Sequence, residues 1–233
     1  MTVSNVPNFA GSSGSEPAKR VRGSVLPAKV KPAAITVGSL GALLTVVQLV
    51  NSLMSYRLSA DFGLVARSLH GLIGIVTAPL LHASWGHLLS NLVPLLIFGF
   101  LILVGSVRQF VAVTVLVWLV SGLGVWLIGP SATITVGASG LVFGWLAYLV
   151  TRGIFTRNLG QIAIGIVLLI LWGGVFWTGI VKVAVADITD VVTISWQGHL
   201  FGAIGGVLAA FLVAKADGPR RPKSAVPALT SGR

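Results

Sequence analysis

Six apolar segments occupy the middle of this 233-residue chain, at about 34–56, 87–105, 108–128, 138–151, 160–181 and 196–214. Five of them are roughly 19–23 residues long, enough to cross a hydrocarbon layer of about 30 Å as helix. A helix satisfies its own backbone hydrogen bonds, which is what lipid demands of a spanning segment. Hydrophobic residues make up 55% of the chain and charged residues only 9%, and the mean hydropathy is +0.96. A soluble domain carries nearer ~25% charge, so this chain cannot cover a water-facing globule. The expected fold is all-α: a polytopic membrane protein, a bundle of six transmembrane helices with a short central fourth helix. That fourth segment gives roughly 20 Å of helix between Ser139 and Arg152. It follows a loop at 129–136, and non-helical backbone at membrane depth survives only inside protein or beside a watery cavity. The loop and the short helix therefore mark where a site is expected.

Residues 1–33 and 215–233 are polar, basic and rich in Pro, Ser and Gly, so they are expected to be disordered tails around a membrane domain of residues 34–214. No short apolar region with a small-residue cleavage site precedes the first segment, so no removable signal peptide is expected. With both termini cytoplasmic, the 16 Lys and Arg residues divide unevenly: only Arg57, Arg67 and Lys182 fall outside. Those three cancel Asp61, Asp187 and Asp190, so the whole formal charge of +11 lies on the inner side. This is the positive-inside pattern. It accounts for the basic character without a nucleic-acid partner, and none is expected. The lipid bilayer itself is the first partner.

Three stretches place polar residues at the outer ends of the second, fourth and sixth segments. They are His82-Ala-Ser-Trp-Gly-His87-Leu-Leu-Ser-Asn91, Gly137-Ala138-Ser139-Gly140, and Gly198-His199-Leu200-Phe201-Gly202. Counted from the basic residues at the inner ends, Asn91, Ser139 and His199 sit roughly 25, 20 and 24 Å up their helices. Three distant segments thus bring Asn, Ser and His to one level. A serine hydroxyl needs a base to become a nucleophile, and His titrates in the right range. A developing oxyanion needs fixed donors, which Asn, His and the N–H groups at a helix start can supply. His87 and Asn91 share a helix face, and Gly137 and Gly140 allow a tight turn beside the serine.

Plainer readings exist for each residue alone. An intramembrane Ser or Asn commonly packs or links helices, and glycines repeating every four residues (Gly198, Gly202, Gly206) let helices approach closely. His82 reads as a residue fixing the loop, and His70 as a loop residue. His82 and His87 lack a third protein ligand for a metal, so no metal and no cofactor are expected. With no cysteine and a single glutamate, Glu16, thiol and His-Glu-x-x-His zinc chemistry are excluded. The four aspartates lie in loops or at a helix end, which excludes an aspartyl pair. Serine chemistry is the protease option left.

In this order, across six spans, the His-x-x-x-x-His-x-x-x-Asn, Gly-Ala-Ser-Gly and His-x-x-Gly-x-x-x-Gly stretches resemble the rhomboid family of intramembrane serine proteases. The resemblance covers about residues 77–212. It implies a water-filled site and a catalytic dyad of Ser139 as nucleophile and His199 as general base. It also implies an oxyanion hole of His87, Asn91 and the Ser139 N–H. Gly137, Gly140, Phe143 and Gly202 are expected to support that site. The substrates implied are membrane-anchored proteins cut near the extracytoplasmic face, and the location implied is the plasma membrane of a bacterium. Three positions depart from the family's pattern: Ala78 stands where many members have a further His, the loop-one Trp-Arg pair is replaced only by Arg67, and Phe143 stands where many have Tyr. The alternative is a catalytically silent relative that binds membrane clients, though such a protein is expected to lack the serine or the base.

Overall fold

The computed structural model describes residues 29–131, 133–182 and 195–217. The two expected disordered tails lie outside the described residues, apart from their inner edges, as do Asp187 and Asp190. Among the described residues six long helices form the bundle: α1 (Val30–Leu53), α4 (Trp85–Gly105), α5 (Val107–Ile128), α6 (Ser139–Thr156), α7 (Leu159–Phe176) and α8 (Trp196–Asp217). Two short helices, α2 (Arg57–Phe62) and α3 (Gly74–Thr77), lie between α1 and α4. A two-stranded antiparallel ladder joins β1 (Leu64–Val65) to β2 (Ile134–Thr135). Among the described residues five of the long helices are long and apolar enough to cross a membrane; the apolar stretch of α7, Leu159–Gly174, is shorter. The protein is an all-α polytopic membrane bundle.

Helix ends follow local chemistry. Ser84, Ser106 and Asn158 cap α4, α5 and α7, each accepting from a backbone N–H three residues on, which satisfies one of the free donors of a helix start. α1 starts at Val30, with Pro32 in its first turn, where the missing N–H costs nothing. α6 begins at Ser139 and continues one turn past Arg152. The Arg152 guanidinium is held by the Tyr148 hydroxyl and by the Asp217 carboxylate at 3.1 Å, so its charge does not end the helix.

Contacts along the helices set their directions. Ser121, Gly140 and Gly198 gather at one end of the bundle, and Gln109, Arg152 and Asp217 at the other. α6 and α8 are therefore parallel, and α5 runs against both. The axis of the bundle is α6, on which every residue from Gly140 to Tyr148 is buried. Glycines make the α6–α8 crossing possible. A Cβ at Gly202 would strike the carbonyl oxygen of Gly140, and one at Gly206 that of Gly144. Small residues of this kind let backbones touch in membranes, where no hydrophobic drive pulls helices together.

The segment between α1 and α4 packs over the Ser121 end of α5. Arg67 donates through its backbone N–H to Trp126 O at 2.9 Å and through its guanidinium to Leu127 O and Gly129 O at 3.2 and 2.8 Å. The Trp126 indole returns a bond to Ser68 O at 3.0 Å, and Trp118 donates to Ile75 O at 2.8 Å. Arg67 and Trp126 thus meet across the loop, although they are 59 positions apart in sequence. These bonds occupy the carbonyls that the end of α5 leaves free.

Candidate active site

Ser139 opens α6, and its position follows from the turn before it. Gly137 has φ of +119°, a conformation open to glycine and strained for other residues. The place a Cβ would take at Gly137 is filled by the His87 imidazole. The Gly137 N–H donates to Ala78 O at 2.9 Å, so the turn is also fixed from the segment between α1 and α4. Unlike α4, α5 and α7, α6 starts without a side-chain cap; Ala138 stands at that position. Ser139, Gly140 and Leu141, the first residues of this uncapped helix, line a cavity of about 720 Å³. The same cavity is lined by His87, Ser121 and Gly198.

His199 is buried in the first turn of α8. Its Nε2 lies 2.8 Å from Ser139 Oγ, a normal hydrogen-bond distance. Its Nδ1 lies 2.7 Å from Gly179 O. The ring of Phe143, one turn along α6 from Ser139, stacks on the imidazole with centroids 4.1 Å apart and planes 2° from parallel. Gly140 and Gly202 sit between the two helices at this level. A side chain at Gly140 would collide with Ser121 Oγ, which donates to Gly198 O at 2.9 Å. Glycine at 202 therefore sets how close the Ser139 helix comes to the His199 helix, and glycine at 140 lets α6 approach both Ser121 of α5 and the Gly198 carbonyl of α8.

His87 and Asn91 share one face of α4. Asn91 is buried and donates from Nδ2 to His87 O at 2.8 Å. The His87 ring meets the His82 ring edge-on, with centroids 5.2 Å apart. His82 is fully buried. Burial, with the neighbouring His87, lowers its pKa to about 4, so its ring is neutral near pH 7 and Nε2 can accept the Ala138 N–H at 3.4 Å. The His82 carbonyl in turn accepts from Asn51 Nδ2 of α1 at 3.2 Å. His82 fixes the loop, as its place in the sequence suggests. His70 lies apart, with Nε2 3.0 Å from Asp61 O.

All eight residues singled out from the sequence lie around this cavity or on the helices that wall it. Two residues were missed. Ser121 carried a signal, a hydroxyl directly before Gly122 and Gly124 in a spanning helix. Gly179 carried none, because its role lies in a main-chain carbonyl.

The comparisons with known proteins agree with this architecture. The family model of the Rhomboid domain matches residues 67–216. The chain belongs to the rhomboid family. Uncharacterized proteins of Mycobacterium bovis and Mycobacterium tuberculosis are each 42% identical over 177 residues, covering 74% of this chain and 71% of theirs. An uncharacterized protein of Mycobacterium leprae is 41% identical over 184 residues, covering 77% of this chain and 70% of its own.

Proposed function

We propose that this protein is an intramembrane serine endopeptidase that cleaves membrane-anchored proteins, with Ser139 as nucleophile and His199 as general base. The observation that carries the reading is the 2.8 Å contact between Ser139 Oγ and His199 Nε2. It joins two helices at the wall of a cavity and lies within the reach required for proton transfer. As Oγ attacks the scissile carbonyl, its proton passes to Nε2. The carbonyl oxygen gains the negative charge, and the protonated imidazole then gives its proton to the leaving amine. Water, deprotonated by His199 in turn, attacks the acyl-enzyme and releases the acid.

The oxyanion is received by the Ser139 N–H, with His87 and Asn91 as the side-chain donors. Support comes from the missing cap at α6: the donors of an uncapped helix start stay available, and the helix dipole favours negative charge there. The Phe143 ring, stacked on the imidazole, keeps it edge-on to Ser139. Gly137 brings the turn under His87, and Gly140 and Gly202 bring the two helices to bonding distance.

A serine-directed fluorophosphonate should label the wild-type chain and fail to label Ser139→Ala and His199→Ala. Asn91→Ala should still label but turn over about 10²-fold more slowly. Cleavage of a model membrane-anchored substrate by Ser139→Ala at the wild-type rate would refute the protease reading.

The charge split supports residues 34–214 as the membrane domain of a bacterial plasma-membrane protein, with both tails cytoplasmic and the cavity opening outward. Reporter fusions at Lys31 and Lys223 should read cytoplasmic, and fusions at Asp61 and Asp187 exported. An exported C-terminal tail would overturn that orientation.

A further inference from the structure

We infer that the main-chain carbonyl of Gly179 is the third group of the Ser139–His199 machinery, a positioning acceptor that holds His199 in its working tautomer; this rests on the protease reading above. A carbonyl oxygen can only accept. At 2.7 Å from Gly179 O, Nδ1 must therefore be the nitrogen that carries the hydrogen. A neutral imidazole has one N–H, so Nε2 is left as a bare acceptor facing Ser139 Oγ at 2.8 Å. That is the form able to take the serine proton. In the other tautomer Nε2–H would point at the hydroxyl, and Nδ1 and the carbonyl would meet as two acceptors. In a triad a carboxylate makes this choice and steadies the imidazolium that forms. The bond from the other ring nitrogen decides which nitrogen is free.

The placement of Gly179 is built rather than incidental. Beyond Phe176 the chain passes into a wider π turn, Trp177–Lys182, the kind of local widening that re-aims backbone groups. That turn carries Gly179 over the imidazole. A Cβ on Gly179 would strike Cζ of Phe143 and come within 3.1 Å of His199 Nδ1. The two groups that hold the imidazole, the Phe143 ring on its face and the Gly179 carbonyl at its edge, thus leave no room for a side chain at 179. Glycine here is read by its absence of bulk, and the polar group it offers is main chain. His199 is therefore oriented by three groups on two elements: Ser139 at the start of α6, Phe143 one turn along it, and Gly179 in the π turn after α7.

The test weakens the carbonyl and leaves every side chain in place. Replacing Ile180 by its α-hydroxy analogue turns the Gly179–Ile180 peptide into an ester, whose carbonyl is a poorer acceptor. The same replacement at Val181 loses a backbone N–H of the same turn but leaves the Gly179 carbonyl an amide. Both full-length chains, with the wild type, would be labelled with nitrogen-15 histidine in detergent micelles. His199 is assigned as the signal missing from His199→Ala. The wild type should show His199 protonated on Nδ1 and bare on Nε2. The ester at 180 should shift that Nδ1–H signal or mix the tautomers, and lower kcat by about tenfold or more with KM within about twofold. The ester at 181 should change neither. Gly179→Ala should likewise disturb the His199 signal and kcat.

Four results would overturn the inference: an ester at 180 with the wild-type signal, an altered signal with wild-type kcat, the same changes from the ester at 181, or loss of the signal on replacing Asp187 and Asp190 by Asn. A wild-type chain with the Nδ1–H signal that neither labels nor cleaves would refute the protease reading, and the catalytic role of Gly179 with it. The hydrogen bond would then stand as structural alone, which separates the two failures.

Discussion

α6 and α7 are neighbouring antiparallel helices of 18 residues each, and they lead opposite lives. α6 is buried without a break from Gly140 to Tyr148. α7, richer in Leu and Ile, exposes Ile164, Ile166, Val167, Leu169, Ile170 and Leu171. In water the more apolar helix would be inside. In lipid the tails are as apolar as leucine, so burial goes to helices that can pack closely or bond across. α6 has Gly140 and Gly144 against α8, Gly153 against the backbone of Ile162, and Tyr148 with Arg152 at its far end. α7 joins it through Gly165, set against the backbone of Val150, and through a few side chains such as Leu168 and Trp172. The proposed nucleophile stands on the helix whose position is most tightly determined.

The sharpest way to break this contrast is to place the same bulk on each side of it. At Gly202 a side chain meets the Gly140 carbonyl, whereas at Gly174 on α7 a Cβ meets nothing within 4 Å. Gly202→Leu should push α8 from α6 and separate Ser139 from His199. A misplacement of about 1 Å can cost on the order of a hundredfold in rate. The prediction is at least that loss in cleavage of a model substrate, with membrane insertion intact. Gly202→Ala should be milder, and Gly174→Leu should cleave as the wild type does. Equal activity of Gly202→Leu and wild type would show that the crossing does not set the Ser139–His199 distance.

Phe143 gives a smaller, local effect. Its ring lies flat on His199, and aromatic pairs of this kind contribute about 0.5–1.5 kcal/mol beyond their buried area. Phe143→Leu keeps an apolar group but loses the flat face. Cleavage should fall by roughly three- to tenfold, the rate equivalent of that energy, while thermal unfolding in detergent moves little. A loss as large as that of His199→Ala would mean that Phe143 holds more of the fold than its ring contact shows.

Much of this architecture is legible in the amino-acid sequence. Apolar length marked the spans, and Ser139, His199 and the glycines between them were readable because their chemistry or their smallness is unusual in a spanning helix. What was not legible depends on the backbone. Arg67 looked like a poor stand-in for a missing pair, yet it finds the Leu127 and Gly129 carbonyls and lies beside Trp126. Gly179 looked like any glycine near a helix end, and the π turn that aims its carbonyl leaves no trace in hydropathy. The run to Thr156 in α6 was hidden for a different reason. An arginine reads as the end of a span until its partners, Tyr148 and Asp217, are known.

The smallest effects test the comparison within a single helix. Leu168 and Ile170 are two residues apart on α7, yet Leu168 is 4% exposed and Ile170 77%. Leu168 packs into the main core with α6, so Leu168→Ala opens a cavity that neighbouring side chains must fill. Truncations of this kind cost about 2–5 kcal/mol in soluble cores. Here the cost should fall toward the lower end, because lipid and adjacent helices can close around α7 more readily than a closed core can. It should be visible as a lowered unfolding midpoint in detergent. Ile170 exchanges one apolar surrounding for another when truncated, since lipid replaces the methyl groups without opening a void. Ile170→Ala should therefore match the wild type in unfolding midpoint, and in cleavage rate within about twofold. A destabilisation equal to that of Leu168→Ala would mean that the exposed face of α7 is covered by protein in the membrane, and the contrast between α6 and α7 would then be one of partner rather than of burial.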